Sequence, residues 1–187
     1  SSPSRKIAEI SRHSSVKRKY GRVLYNLAAM HNGSQIVEFG TSLGISTIYI
    51  ALGAPDSEII TVDADQRLTE IARDNLKLCD INNVSVSNRD FDEWIMAQRV
   101  GRPRPSMVFI DGNHRAGPVM RYFSFFKELI EKDSVIIFDD IYYSPGMKEA
   151  WNEIKNDSQV SVSIDIFRMG LVFFREGIEK QHFVIRY

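Results

Sequence analysis

The sequence predicts an α/β fold: a three-layer sandwich whose sheet is mostly parallel and finishes in an antiparallel hairpin. Three observations predict it. From Ile36 onward, short apolar runs alternate with helical stretches, the pattern of a parallel sheet covered by helices. "MVFID" and "SVIIFDD" are continuous apolar runs that end in carboxylates, as strands buried on both faces do. Near the C-terminus the alternation stops. "VSVSIDIF" and "GLVFF" are separated by only the link 168–170, too short for a helical crossover, so the two pair antiparallel.

Two helical stretches come first. In the second, Val16, Tyr20, Val23, Leu24, Leu27 and Ala28 fall at helical spacing, and Asn32-Gly33 ends the run. The basic group Lys17, Arg18, Lys19 and Arg22 interrupts this stripe. It reads as a solvated face, with an anion-binding patch as the alternative. "QIVEF" is then a buried strand, "GTSLGIS" a glycine turn, and an apolar helix runs through Leu52. "EIITVD" is the second strand, followed by a helix over 66–78 and a short strand over 84–87. "DFDEWIMAQRV" is a loop with a short helix. "MVFID" is a strand ending at Asp111, and the next helix starts near Pro118, a good first-turn residue. "SVIIFDD" follows, then the helix "SPGMKEAWNEIKN" with Ser144 as N-cap. "HFVIRY" adds a last strand. No linker, low-complexity tract or repeat interrupts the chain, so 1–187 reads as one domain.

Composition narrows the function. A chain of 187 residues buries about 70% of its unfolded surface on folding, enough for a substantial core. Lys plus Arg and Asp plus Glu both number 24, so nothing global steers the protein to nucleic acid or an anionic membrane. Cys79 has no internal disulfide partner, which fits a reducing, cytoplasmic setting. No apolar run is long enough to span a membrane. The start "SSPSRKIAEI" shows neither an initiator Met nor an apolar signal region, which leaves open whether residues precede Ser1.

Ligands of parallel sheets sit beyond the carboxyl ends of the strands. There the sequence sets Glu38 and Gly40, then Asp63, Asp90, Asp111, and the adjacent pair Asp139 and Asp140. Recurring acids on the tips of apolar strands are the strongest functional signal. Gly40 and Gly44 with Thr41 and Ser42 between them do not spell the G-x-G-x-x-G dinucleotide cradle, although a glycine turn there lets a ligand approach the backbone. Asp63 suits both hydroxyls of a ribose; its alternative role is N-cap of the 66–78 helix.

In order, "VEFGTSLGIS", "ITVDAD", "DFDEW", "MVFIDGNH" and "SVIIFDDIYYS" resemble a class I S-adenosylmethionine-dependent methyltransferase with a Rossmann-like fold. More narrowly they are similar to small O-methyltransferases, of the catechol O-methyltransferase-like and metal-dependent sugar types. The resemblance covers roughly 36–174. It implies that Glu38, Gly40 and Gly44 wrap the methionine part of S-adenosylmethionine, with Thr41 and Ser42 donating hydrogen bonds. It implies that Asp63 holds the ribose, that Asp90 and Phe91 lie beside the adenine, and that Asp111 also reaches the cofactor. It places the N-terminal helices of 1–33 beside the acceptor and makes a homodimer an expectation by analogy.

Asp111, Asp139 and Asp140 sit on neighbouring strands of this fold, where three converging carboxylates repel one another. A divalent cation, Mg²⁺ above all, would remove that cost, and the resemblance implies the same three ligands. The alternative is that the pair caps a turn and pairs with Arg115 or Lys148. His114 follows Asp111 where the catechol-type relatives carry a catalytic Lys. It reads as a catalytic base working with Asp111, as a partner of the metal, or as a loop-shaping residue. Tyr142, Tyr143 and Met147 are candidate walls of an acceptor pocket. The expected activity is O-methylation of a small hydroxyl-bearing molecule. A nicotinamide-dependent oxidoreductase and a non-catalytic cofactor-binding module are the alternatives.

Overall fold

A computed structural model describes residues 16–98 and 104–187. The first of the two expected helical stretches lies outside them. Among the described residues, eight strands form one mixed sheet in the order β3-β2-β1-β4-β5-β7-β6-β8. In chain order these are β1 (Gln35–Phe39), β2 (Glu58–Asp63), β3 (Val84–Asn88), β4 (Met107–Ile110), β5 (Val135–Phe138), β6 (Val162–Asp165), β7 (Gly170–Phe173) and β8 (Gln181–Val184). The helices are α1 (Arg18–Met30), α2 (Ile45–Gly53), α3 (Gln66–Leu78), α4 (Phe91–Ala97), α5 (Ala116–Lys127) and α6 (Pro145–Asn156). No described helix is long and apolar enough to cross a membrane. The chain divides into two compact units, one holding 40–94 with the N-terminal helix, the other holding β1 and everything after 94.

In the first unit β2 and β3 pair in parallel. Tyr20, Leu24 and Ala28 repeat every four residues along α1 and bury one face, while Lys17, Arg18, Lys19 and Arg22 are exposed. Glycines let α1 and α2 approach closely. A Cβ on Gly53 would lie 2.3 Å from the Tyr25 carbonyl oxygen, and one on Gly21 would lie 2.4 Å from the Tyr49 ring. Asp65 caps α3 by accepting from the Arg67 and Leu68 amides.

In the second unit β1, β4 and β5 run parallel. All four residues of β4 and all four of β5 are buried, so each side chain of "MVFI" and "VIIF" is removed from water, worth about 1.5–3 kcal/mol apiece for the larger ones. Phe39 meets Tyr122 and Phe126 edge-on at centroid distances of 5.4 and 5.1 Å, closing α5 onto the sheet. Helix α5 begins at Ala116, slightly before the start expected at Pro118, and Ser144 caps α6 through the Met147 amide as expected. The hairpin is confirmed with a detail the pattern does not carry. Strand β7, not β6, lies against β5, antiparallel to both. Gly170 makes this possible: a Cβ there would lie 2.6 Å from the Trp151 ring.

Candidate active site

The glycine turn of the first unit is held from below and from the side. Gly40 and Gly44 take φ of 110° and 78°, and Ser42 between them takes 46°, a left-handed run that costs little at glycine. The amides of Gly40 and Thr41 donate to the Val62 carbonyl. The Thr41 hydroxyl shares a 2.7 Å hydrogen bond with Thr61 and is fully buried, so it anchors the turn. Asn75 donates to the Leu43 carbonyl from α3. Asp63, at the tip of β2, accepts from the Ser42 amide at 2.8 Å and from the Asp65 amide at 3.0 Å. The helix cap therefore belongs to Asp65. Two backbone amides take one lone pair on each Asp63 oxygen, and a carboxylate has about four such sites, so acceptor capacity remains for ribose hydroxyls. The donor chemistry of this turn fits an adenosyl cofactor. Asp90 is engaged at the start of α4, where it accepts from the Asp92 amide, and Phe91 beside it is half-buried.

The acids of the second unit gather at the ends of β1, β4 and β5. The parallel ladder runs one residue past the strands: the Asp111 amide donates to Phe39 and the Asp139 amide to Ile110. This register sets Asp111 and Asp139 side by side on the sheet edge. Asp140 turns left-handed, with φ of 51°, which Asp tolerates better than most residues. Glu38 and Asp139 are buried. Burial above all, then the charges of Asp139, Asp140 and Glu38, pushes the Asp111 carboxyl well above the usual range, with Arg168 pulling the other way. Burial and Asp139 raise Asp140 in the same way, opposed by Arg168 and His114. His114 sets its Nε2 3.8 Å from Asp111 and 3.9 Å from Asp140, and its ring lies 5.3 Å from that of Tyr143.

The cation that answers these acids is Arg168. Its Nε donates to both Asp139 oxygens at 3.0 Å, its Nη2 donates to Oδ2 at 2.7 Å, and Nε lies 3.3 Å from Asp140. The hydrogen bond to Asp139 raises the guanidinium pKa further, so it is always charged. The sequence reading missed this residue, because it treated 168–170 as a plain hairpin link. The local structure explains its place. Asp165, buried at the tip of β6, accepts from the Phe167 amide; Phe167 takes φ of 73°; and the Arg168 carbonyl accepts from the Ile141 amide. The turn between β6 and β7 is thereby tied to the segment after Asp140. Arg115 and Lys148 make no ion pair with either Asp among the described residues.

This geometry bears on the metal expected at Asp111, Asp139 and Asp140. Among the described residues, no group of three or more His, Cys, Asp or Glu side chains is arranged to hold an ion. Both Asp139 oxygens face a guanidinium, which would repel a divalent cation placed on them. The donor set as folded does not fit a metal. Of the candidate pocket walls, Met147 is buried in the core. Tyr142 and Tyr143 are exposed, and the Tyr142 hydroxyl donates to Asp165, which with burial pushes the phenol up to about 12.

Sheet order, glycine turn and acidic strand tips together define a Rossmann-like methyltransferase fold. Solved structures agree. The chain superposes on the O-methyltransferase TomG of Streptomyces achromogenes, in complex with S-adenosylmethionine, with a TM-score of 0.75 at 22% identity, covering 91% of this chain and 88% of that one. The Bacillus cereus O-methyltransferase in complex with S-adenosylhomocysteine gives 0.72 at 21% identity, over 90% and 89% of the two chains. A methyltransferase of Podospora anserina bound to S-adenosylhomocysteine gives 0.73 at 14% identity, over 91% and 87%. Residues 37–141, more than half of the chain, match the model of a methyltransferase domain, and the chain belongs to that family. It is a class I S-adenosylmethionine-dependent methyltransferase, which sets aside the nicotinamide-dependent reading.

Proposed function

We propose that the protein transfers the methyl group of S-adenosylmethionine to a hydroxyl oxygen of a small acceptor, with His114 as the base. The cofactor supplies an electrophilic methyl on a sulfonium sulfur. The acceptor oxygen forms the new C–O bond as the S–C bond breaks toward sulfur, and the acceptor proton passes to His114 Nε2. The observation that carries this reading is the position of that nitrogen, within 4 Å of both Asp111 and Asp140, where an ionised carboxylate stabilises the imidazolium once it forms. Asp63 and the turn from Gly40 to Gly44 hold the adenosyl and methionine parts, with Glu38 as the further acid of the motif. Asp90 and Phe91 are the adenine-side candidates. Tyr142, Tyr143 and Phe167, exposed around the acids, are suited to stack on an aromatic or sugar ring. A divalent ion has no step in this scheme.

The test is calorimetry with S-adenosylhomocysteine followed by methyl transfer to a panel of phenols, sugars and hydroxy acids. His114→Asn is expected to keep S-adenosylhomocysteine affinity and to lower kcat by about 10²–10⁴, the usual worth of a general base. Unchanged kcat in that variant would remove His114 from the mechanism, and absence of S-adenosylhomocysteine binding would sink the reading.

A further inference from the structure

The small O-methyltransferases that this chain resembles lead one to expect a metal on the acids after strands four and five. Here the two acids after strand five meet an arginine from the β6–β7 turn. We propose that Arg168 is the built-in cation of this site: it holds Asp139 and Asp140 in the place of a divalent ion, and methyl transfer runs without metal. The inference rests on the methyltransferase reading above.

Three features of the chain carry it. First, the contact is a fork. Nε and Nη2 engage both Asp139 oxygens, and Nε also reaches Asp140, so one guanidinium spans two of the three acids expected to hold a metal. Second, it is enclosed. The Asp139 side chain has no exposed surface and Arg168 is only 18% exposed, so the pair is not a surface ion pair that a passing cation displaces. Third, it is built. Asp165 and the left-handed Phe167 shape the turn, the Arg168 carbonyl is bonded to the Ile141 amide, and Gly170 seats the following strand on Trp151. The Arg168 carbonyl, and Gly170 through the pairing of β7 with β5, are therefore held to the segment carrying the acids.

The substitution changes the chemistry. A hard divalent ion binds oxygen directly and can chelate two neighbouring hydroxyls of an acceptor. A guanidinium only donates hydrogen bonds and cannot coordinate an alkoxide. Acceptor activation then falls to His114, and the acceptor needs no second oxygen beside the one that is methylated. Adjacent diols then gain nothing over monohydroxyl compounds. Arg168 acts as a positioning residue: it holds Asp140, one of the two acids beside His114, together with Asp139.

Mn²⁺ serves as the probe, followed by the electron paramagnetic resonance signal of the free ion as it is titrated into the full chain. The wild-type protein is expected to leave that signal undiminished, and to keep its full rate of methyl transfer in chelator. Arg168→Met uncovers the acids and is expected to take up about one Mn²⁺ per chain. Arg168→Lys keeps a charge in place and is expected to take up none. Stoichiometric uptake by the wild type overturns the proposal, as does a folded Arg168→Met that takes up no ion. If Arg168→Met does not fold by circular dichroism, the wild-type and Arg168→Lys titrations decide alone. Calorimetry with S-adenosylhomocysteine on the same samples separates the two readings, because its failure removes the methyltransferase function and leaves the Mn²⁺ result standing.

Discussion

Arg168 Nη2 lies 2.7 Å from Asp139 Oδ2, joining a residue in the turn after β6 to the residue that follows β5. The pair locks the C-terminal hairpin onto the acidic edge of the sheet. Breaking it from one side leaves a buried charge without a partner. Arg168→Met is expected to lose about 3–5 kcal/mol of stability in urea unfolding. Adding Asp139→Asn removes the stranded charge, and the double variant is expected to regain a large part of that loss. A double variant as unstable as the sum of the two single ones would show that the residues are not coupled.

Stability is expected to depend on pH through Asp111. Its carboxyl is raised in the folded state by burial and by neighbouring acids, so the fold prefers it protonated. The sign follows. This contribution is fully present below the unfolded value of about 3.9 and is lost as pH rises toward the folded value. Asp140, raised as well, works in the same direction. Asp111→Asn keeps a similar shape without the charge. Urea midpoints across mildly acid to neutral pH should fall less steeply in that variant than in the wild type, and at neutral pH the variant should be the more stable.

Asp63 combines two tasks, holding the Ser42 amide and presenting acceptor sites. Asp63→Ala is expected to weaken S-adenosylhomocysteine binding by about 1–3 kcal/mol, the worth of hydrogen bonds to a charged acceptor, read by calorimetry. Asp65→Ala removes only a helix cap, costs about 1 kcal/mol of stability, and should leave the affinity near wild type.

Gly53→Ala tests the close approach of α1 and α2. The new Cβ would meet the Tyr25 carbonyl oxygen at 2.3 Å, and a backbone atom cannot rotate away. The expected loss is about 1–3 kcal/mol in thermal or urea unfolding. Gly21→Ala meets the Tyr49 ring instead, which can swing aside, so it should cost less.

Part of the candidate site is legible along the chain, because Asp111 and Asp139 each directly follow an apolar run. Asp111 after "MVFI" and Asp139 after "VIIF" need only the rule that strands four and five are neighbours, and their registered pairing bears it out. The roles of Asp63 and Asp65 are not separable in this way. Both precede α3, and only the backbone shows that Asp65 makes the cap while Asp63 turns to Ser42. Thr41 is similar: its neighbours in sequence suggest a ligand donor, and the partner it meets in the fold is Thr61.

The sequence by itself determined the alternation of strands and helices, the glycine turn, the row of acids on the strand tips and the family to which they point. These are properties of local periodicity and of position relative to a strand end, and both are written in neighbouring residues. Only the tertiary structure decided which cation those acids meet. Asp139 and Arg168 are far apart along the chain, and they come together because β7 inserts between β5 and β6 and swings the preceding turn over the sheet edge. Charge pairing depends on distance through space, which no local pattern records.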